Sequence, residues 1–268
     1  MTLIVSWIGV DQKKNGNQIA SLYIASDSRF SWGKNGKYDY GVKVFGCINS
    51  PEIFGFSGDV LLPSNIINQL ITQIDYGIFF NDTDTKEIKS QRIYKFISEA
   101  INLYPKFALN QNFNIIYGTR ISHEFKLFKY LYDYKSEEFT YEEIELPLIS
   151  TKVYSGGSGA EEFNKNFENL ERESHNEYRT SRGVYQCLIK TLNNMKDIYS
   201  GGTPQIVGLY RIKNSILFGS VINEKLYLYG REYLQKVNVE NIEWRNENFE
   251  RTNPKTGKIL DGAQKQPN

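Results

Sequence analysis

The stretch TLIVSWIGVDQKKNGNQIASLYIASDSRFSWG, residues 2–33, opens with two runs, 2–10 and 18–26, in which β-branched and aromatic residues dominate. Branching at Cβ suits the pleated surface of a strand, so both runs favour extended backbone. Between them DQKKNGN carries the turn dipeptide Asn15-Gly16, and the spacing predicts a β-hairpin. Polar punctuation follows at once: Asp27, Arg29, Ser31 and Gly33 crowd the strand exit, where short polar side chains and glycine suit a loop.

Working outward, strand patterns at 42–48 and 52–57 flank a turn at Asn49-Ser50-Pro51. From about 59 to 78, Leu61, Leu62, Ile66, Ile67, Leu70, Ile71 and Ile74 recur at the three- and four-residue spacing of an amphipathic helix. A second helix is predicted over 86–104, stopped by Pro105. Strands are expected at 112–119, 125–133, 139–147 and 152–155, then GGSG at 156–159 leads into helices at 159–173 and 180–196. The last strands are 204–212, 215–222 and 225–230. This order describes an α+β chain with two antiparallel sheets sandwiched between helix pairs. Beyond 230 the periodicity is lost, so one domain is expected over 2–230, followed by a loosely held polar extension over 231–268.

Composition narrows the chemistry. Lys+Arg 32 against Asp+Glu 31 leaves a net charge of +1, too small for the basic field of a nucleic-acid or anionic-membrane binder. No run approaches the roughly 18 apolar residues of a membrane helix, and no charged start with an apolar core and cleavage site opens the chain, so a cytoplasmic protein is expected. Cys47 and Cys187 stand in apolar surroundings and read as small hydrophobes. With two cysteines and two histidines a structural zinc site is excluded in practice, and no metal or cofactor is expected. A serine triad would have to use His123 or His175, both in polar stretches that read as surface. GxSxG, HExxH, calcium-loop and GxxxxGK[ST] motifs are absent.

Thr2 follows the initiator methionine, and methionine is readily removed before a residue as small as threonine. An N-terminal threonine needs no histidine, because its hydroxyl attacks while its own α-amine takes the proton. That amine titrates at roughly 7.7–8.0, near the working pH of a general base.

Thr2, the D-x-R-x-[ST]-x-G run at 27–33, and Lys43-Val44, with the lysine 16 positions beyond Asp27, resemble the catalytic β subunits of the proteasome and the bacterial proteasome-like peptidases. These are members of the N-terminal-nucleophile (Ntn) hydrolase superfamily. The resemblance continues through Gly55-Phe56-Ser57-Gly58, Gly157-Ser158-Gly159 and Lys196-Asp197-Ile198-Tyr199-Ser200-Gly201-Gly202, and spans roughly residues 2–230. It implies a four-layer αββα sandwich and a threonine-type peptidase without cofactor. Thr2 would be the nucleophile, Asp27 would anchor Lys43, and Lys43 would favour the deprotonated hydroxyl. Ser158, Asp197 and Ser200 would hold the Thr2 amine. On the substrate side, Arg29 belongs to the matching run, and the backbone around Ser31 would pair with an extended peptide. The Gly58 N–H would form the oxyanion hole, and Phe56 would line and narrow the pocket before the scissile bond. Partners implied are a peptide or unfolded protein, further copies in a homo-oligomeric ring, and an ATP-dependent unfoldase.

The interval from Lys43 to Gly58 is about one residue longer than the family's, which implies an insertion near Asn49-Ser50-Pro51. Each piece also has an ordinary reading: Asp27 as a turn residue, Lys43 as an edge-strand lysine, GGSG as a strand-to-helix turn and SGG as a helix stop. Two other functions stay open, a non-catalytic proteasome-like scaffold subunit and an Ntn amidase acting on a small amide. A phosphate cradle at GGSG lacks the partner lysine and threonine.

Overall fold

The first two strands, β1 (Ile4–Lys13) and β2 (Gly16–Ser26), pair antiparallel from Ile4↔Ser26 to Lys13↔Gly16. The chain is seen in a computed structural model that describes residues 2–13, 16–173, 177–234 and 242–263; the predicted turn residue Asn15 lies outside the described residues. The last six residues of β2 are all buried, because this end of the strand has a neighbour on both edges and packing on both faces.

The remaining elements in order are β3 (Phe30–Trp32), β4 (Gly36–Tyr38), β5 (Val44–Gly46), β6 (Glu52–Gly58), α1 (Leu61–Asp75) and α2 (Lys86–Leu103). Next come β7 (Phe113–Ile121), β8 (Glu124–Asp133), β9 (Glu138–Ile144), β10 (Thr151–Gly156), α3 (Ala160–Glu173) and α4 (Ser181–Asn193). The chain closes with β11 (Gln205–Tyr210), β12 (Ile216–Ile222), β13 (Lys225–Leu228), β14 (Arg231–Glu232) and β15 (Ile242–Asn246). Local chemistry sets several boundaries. Thr85 caps α2 by accepting from the Ile88 N–H, Thr180 caps α4 by accepting from the Gly183 N–H, and α2 stops two residues before Pro105.

The strands assemble as an eight-stranded sheet in the order β10-β1-β2-β11-β12-β13-β14 with β15 on β12, a five-stranded sheet in the order β5-β6-β7-β8-β9, and a separate pair β3-β4. This corrects the expected four-layer αββα sandwich of two antiparallel sheets. Among the described residues there are three sheets, strands outweigh the four α-helices, and β15 joins β12 in parallel. The physical reason lies in two segments whose apolar periodicity is weak. Residues 30–38 and 242–246 read as loop and tail, yet both satisfy their backbone groups by pairing. The extension is also not loose throughout: Trp244 packs over Gly219, and Phe249 meets Trp7, Tyr23, Tyr185 and Phe218 in edge-on and tilted ring contacts. Arg245 ties it further through the Phe249 carbonyl, the Tyr210 hydroxyl and Glu243.

Apolar residues fix how the parts meet. Ile4, Ile8, Leu22 and Ile24 of the large sheet share a cluster with Val44, Ile53, Ile116 and Leu127 of the five-stranded sheet. Residues from α1 and α2 pack with Phe54, Phe56 and Tyr117, and residues from α3 and α4 pack with Val5, Trp7 and Tyr23. What matters for function is a consequence of strand direction. Because β1 runs antiparallel to both β2 and β10, the start of β1 lies against the exits of both. β11 runs antiparallel to β2, so its start lies there too, with Gln205 opposite Ser26. Four chain segments distant in sequence therefore meet at one end of the sheet: Thr2, Asp27, the glycine-rich 156–159 turn and the 197–203 loop.

Candidate active site

Thr2 precedes β1 and is 1% exposed. Its carbonyl accepts from the Gly159 N–H at 3.2 Å, which holds it against the turn after β10. That approach leaves no room for a side chain on Gly157: with φ at +86°, a Cβ there would lie 1.9 Å from the Thr2 carbonyl oxygen. The next residue is fixed from the other side. The Leu3 N–H donates to Asp27 Oδ1 at 2.9 Å, the Asp27 N–H donates back to the Leu3 carbonyl at 3.0 Å, and Ser26 Oγ donates to the same carbonyl.

Asp27 is fully buried and collects four close donors, with Ser26 Oγ a fifth on Oδ1 at 3.5 Å. Oδ1 accepts from Leu3 N–H and from Lys43 Nζ at 2.7 Å; Oδ2 accepts from the Gly201 N–H at 2.8 Å and the Arg29 N–H at 3.2 Å. Neither side chain of the Lys43–Asp27 pair has any exposure. Burial pushes the Lys43 ammonium below the ordinary lysine range, against the pull of the Asp27 carboxylate. Such a pair persists only where the remaining lone pairs are satisfied, which the three backbone N–H groups on Asp27 accomplish. The Lys43 ammonium also lies 5.8 Å from the Phe30 ring centroid, within cation–π range.

A second carboxylate is bonded to the same glycine-rich turn that holds the Thr2 carbonyl. Asp197 Oδ2 accepts from Ser158 Oγ at 2.5 Å and Ser200 Oγ at 2.8 Å, and Oδ1 accepts from the Tyr199 N–H at 3.0 Å. Burial opposes ionisation of Asp197, but the hydrogen bonds from Ser158, Tyr199 and Ser200 outweigh it and hold the carboxyl below its usual value. Gly159 joins the two halves: a Cβ on it would touch both Leu3 Cβ and Ser200 Oγ at 3.0 Å. Ser158 is exposed while Ser200 is buried, so this cluster reaches from the surface to the interior.

The four residues expected on the substrate side are placed differently. Arg29 forms a bidentate pair with Asp39, Nε to Oδ1 at 2.7 Å and Nη2 to Oδ2 at 2.9 Å, and its Nη1 donates to the carbonyls of Ile198 and Ser200. The side chain is thus occupied in clamping the 197–201 loop. Phe56 is fully buried, beside Phe45 and Phe30, as a core residue of the five-stranded sheet. Gly58, at the end of β6, has φ +96°, and a Cβ there would lie 2.1 Å from the Asn112 carbonyl oxygen, so its conformation alone demands glycine. Ser31 sits in β3 opposite Lys37 of β4, with its hydroxyl buried and unpartnered.

His123 is exposed in the turn between β7 and β8, and His175 lies outside the described residues. Cys47 and Cys187 are buried free thiols; burial pushes both up, Cys187 to about 11, so neither supplies a thiolate at neutral pH. No described helix is long and apolar enough to cross a membrane. A cleft of about 740 Å³ opens elsewhere, lined by Gly46, Ser215, Tyr229, Trp244 and Arg251 among others, and none of the residues expected at the site lines it.

No family model matches the chain, nor does any curated protein by sequence. Among solved structures, a similar fold is that of the Anbu (Gly-1) mutant from Hyphomicrobium sp. strain MC1, at 12% sequence identity and a TM-score of 0.48, over 80% of this chain and 82% of that one. A likeness at that level is a distant one in fold, and function is argued from the site itself.

Two residues of the site escape sequence reading. Asp39, the partner of Arg29, lies in the KYDYG stretch before Lys43 with no periodic or motif signal. Gln205 is 1% exposed and carries three hydrogen bonds to backbone around Lys43 and Asp27. A signal for it existed: it is a polar residue at the head of the apolar run IVGLY, in a strand that is buried on both faces.

Proposed function

We propose that the chain is an Ntn hydrolase in which Thr2, made N-terminal by loss of Met1, is the nucleophile of a threonine-type peptidase. The observation that carries this reading is the shared oxygen of Asp27. It binds the Lys43 ammonium and the Leu3 amide together, which sets a buried positive charge beside the Thr2–Leu3 peptide. In the proposed reaction Thr2 Oγ attacks the substrate carbonyl carbon and its proton passes to the α-amine. Collapse of the tetrahedral intermediate breaks the C–N bond, and the proton leaves with the departing amine. Water then hydrolyses the ester, returning the hydroxyl. In this reading Lys43 lowers the energy of the developing oxyanionic threonine, and the Ser158–Asp197–Ser200 cluster orients the amine. Assembly into a ring and feeding by an ATP-dependent unfoldase belong to the same proposal, and light scattering that reads a monomer would remove them.

The 1% exposure of Thr2 favours a second reading, a non-catalytic subunit whose chain start is simply packed away. Intact-mass analysis with a peptide epoxyketone separates the two. The catalytic reading expects loss of Met1 and one adduct on Thr2, absent in Thr2→Ala. Retained Met1, or peptide hydrolysis unchanged in Thr2→Ala, would overturn it.

A further inference from the structure

We propose that Gln205 is a positioning residue for Lys43, an inference that rests on the threonine-nucleophile reading and assigns a part of its machinery that lies outside the motif run. Lys43 falls in the irregular stretch 41–43 just before β5, where its N–H takes its partner from a side chain rather than from a neighbouring strand. An unpaired buried N–H is costly, and here the partner is a side chain: the Lys43 N–H donates to Gln205 Oε1 at 3.0 Å. The opposite side of the same residue is held by the Phe56 N–H, which donates to the Lys43 carbonyl at 3.0 Å. Gln205 Nε2 meanwhile donates to the carbonyls of Asp27 and Gly41. One amide thus ties the backbone of the lysine, the backbone of the aspartate that binds the lysine, and the segment leading to it.

Glutamine suits this task for a definite reason. A side-chain amide offers one acceptor and two donors, and all three are used, which also fixes which end carries oxygen. The flipped amide would set its NH₂ against the Lys43 N–H and its oxygen against two carbonyls. Gln205 is held in turn by its place at the head of β11, where it stands opposite Ser26, the residue before Asp27. Its amide therefore refers the position of Lys43 to the large sheet, while Lys43 itself leads into the five-stranded one. The distance between ammonium and nucleophile is set across that junction, and a shift of about 1 Å there slows a reaction on the order of 100-fold.

The test is the rate of epoxyketone adduct formation on Thr2, followed by mass across pH, in wild type, Gln205→Met and Gln205→Asn. Met keeps the length and removes all three hydrogen bonds; Asn keeps the amide but is one methylene short. Both are uncharged, so a change in the pH midpoint reports movement of the ammonium rather than a new charge. A nearby ammonium depresses the pKa of the Thr2 amine, so its displacement moves the midpoint to higher pH. Gln205→Met is expected to label about 10- to 100-fold more slowly with the midpoint moved to higher pH, and Gln205→Asn to fall between it and wild type. Circular dichroism identifies a variant that fails to fold, and the milder Asn variant then carries the test. Slower labelling at an unchanged midpoint, or wild-type behaviour in a folded variant, overturns the assignment. Absence of a Thr2 adduct in wild type is a separate outcome that overturns the threonine reading and this one with it.

Discussion

Among the described residues, two lysines pair with fully buried carboxylates, and the two pairs are held differently. Lys43–Asp27 lies at the sheet end where Thr2 begins; Lys89–Glu52 lies at the other end of β6, with Nζ to Oε1 at 2.6 Å. Both carboxylates have no exposure. Asp27 is held by three backbone N–H groups, donors that cannot move without moving strands. Glu52 is held by side chains, the Tyr117 hydroxyl at 2.5 Å and the more distant Ser50 hydroxyl besides Lys89. Burial raises the Glu52 carboxyl above its usual value even though Lys89 and Tyr117 oppose the rise. A lysine and a carboxylate thus make a backbone-anchored pair in one place and a side-chain-held pair, whose carboxyl is pushed toward its neutral form, in the other. Only the first is bonded to the chain beside Thr2.

The comparison breaks most sharply on removal of each lysine. Lys43→Ala removes the ammonium partner of a fully buried carboxyl group, and unfolding experiments should show a loss of about 3–5 kcal/mol. Epoxyketone labelling of Thr2 should slow at least about 100-fold in the same variant. Lys89→Ala leaves Glu52 able to take a proton and keep its tyrosine, so a loss of about 1–3 kcal/mol is expected, with labelling unchanged. Equal labelling in the two variants would erase the distinction.

A smaller effect appears in the pH dependence of stability, and its sign differs between carboxylates. Glu52, with its folded-state pKa raised, contributes stability that is fully present below its unfolded value of about 4.3 and is lost as pH rises through the folded value. Asp197, with its pKa lowered, contributes stability present above its unfolded value of about 3.9 and lost as pH falls through the folded value. Denaturant unfolding of Glu52→Gln and Asp197→Asn against wild type should therefore show opposite slopes, Glu52→Gln gaining relative to wild type as pH rises above about 4.3. Parallel profiles would show that the two carboxyl groups are not shifted in opposite directions by their surroundings. The smallest effect belongs to Asp39→Asn, which weakens a partly exposed pair and should cost less than about 1 kcal/mol. Its readout is instead labelling, expected to slow modestly because Arg29 would loosen its hold on the Ile198 and Ser200 carbonyls.

Some of this was legible from sequence because it is local. The leucine and isoleucine spacing of α1, the proline stop after α2 and the alternation in β8 are short-range patterns. The residues of the two carboxylate clusters could also be named, since Asp27, Ser158, Asp197 and Ser200 sit at strand exits and loops marked by glycine. For Arg29 and Phe56, position along a strand does not say which contacts the side chain makes. One is consumed by Asp39, the other by Phe45 and Phe30. β15 escaped because its pairing is with β12, and a parallel edge strand leaves little periodic trace in five residues.

By itself the sequence determined the four α-helices and most of the strands, the scarcity of histidine and cysteine, and a threonine at the head of the first strand. Tertiary structure alone decided that there are three sheets, that the extension in part packs into the core, and that Lys43, Leu3 and Asp27 share one oxygen. The reason is that strand antiparallelism brings together ends separated by well over a hundred residues. Hydrogen bonds such as Gly201 to Asp27, or Gln205 to Lys43, exist only once those ends have met.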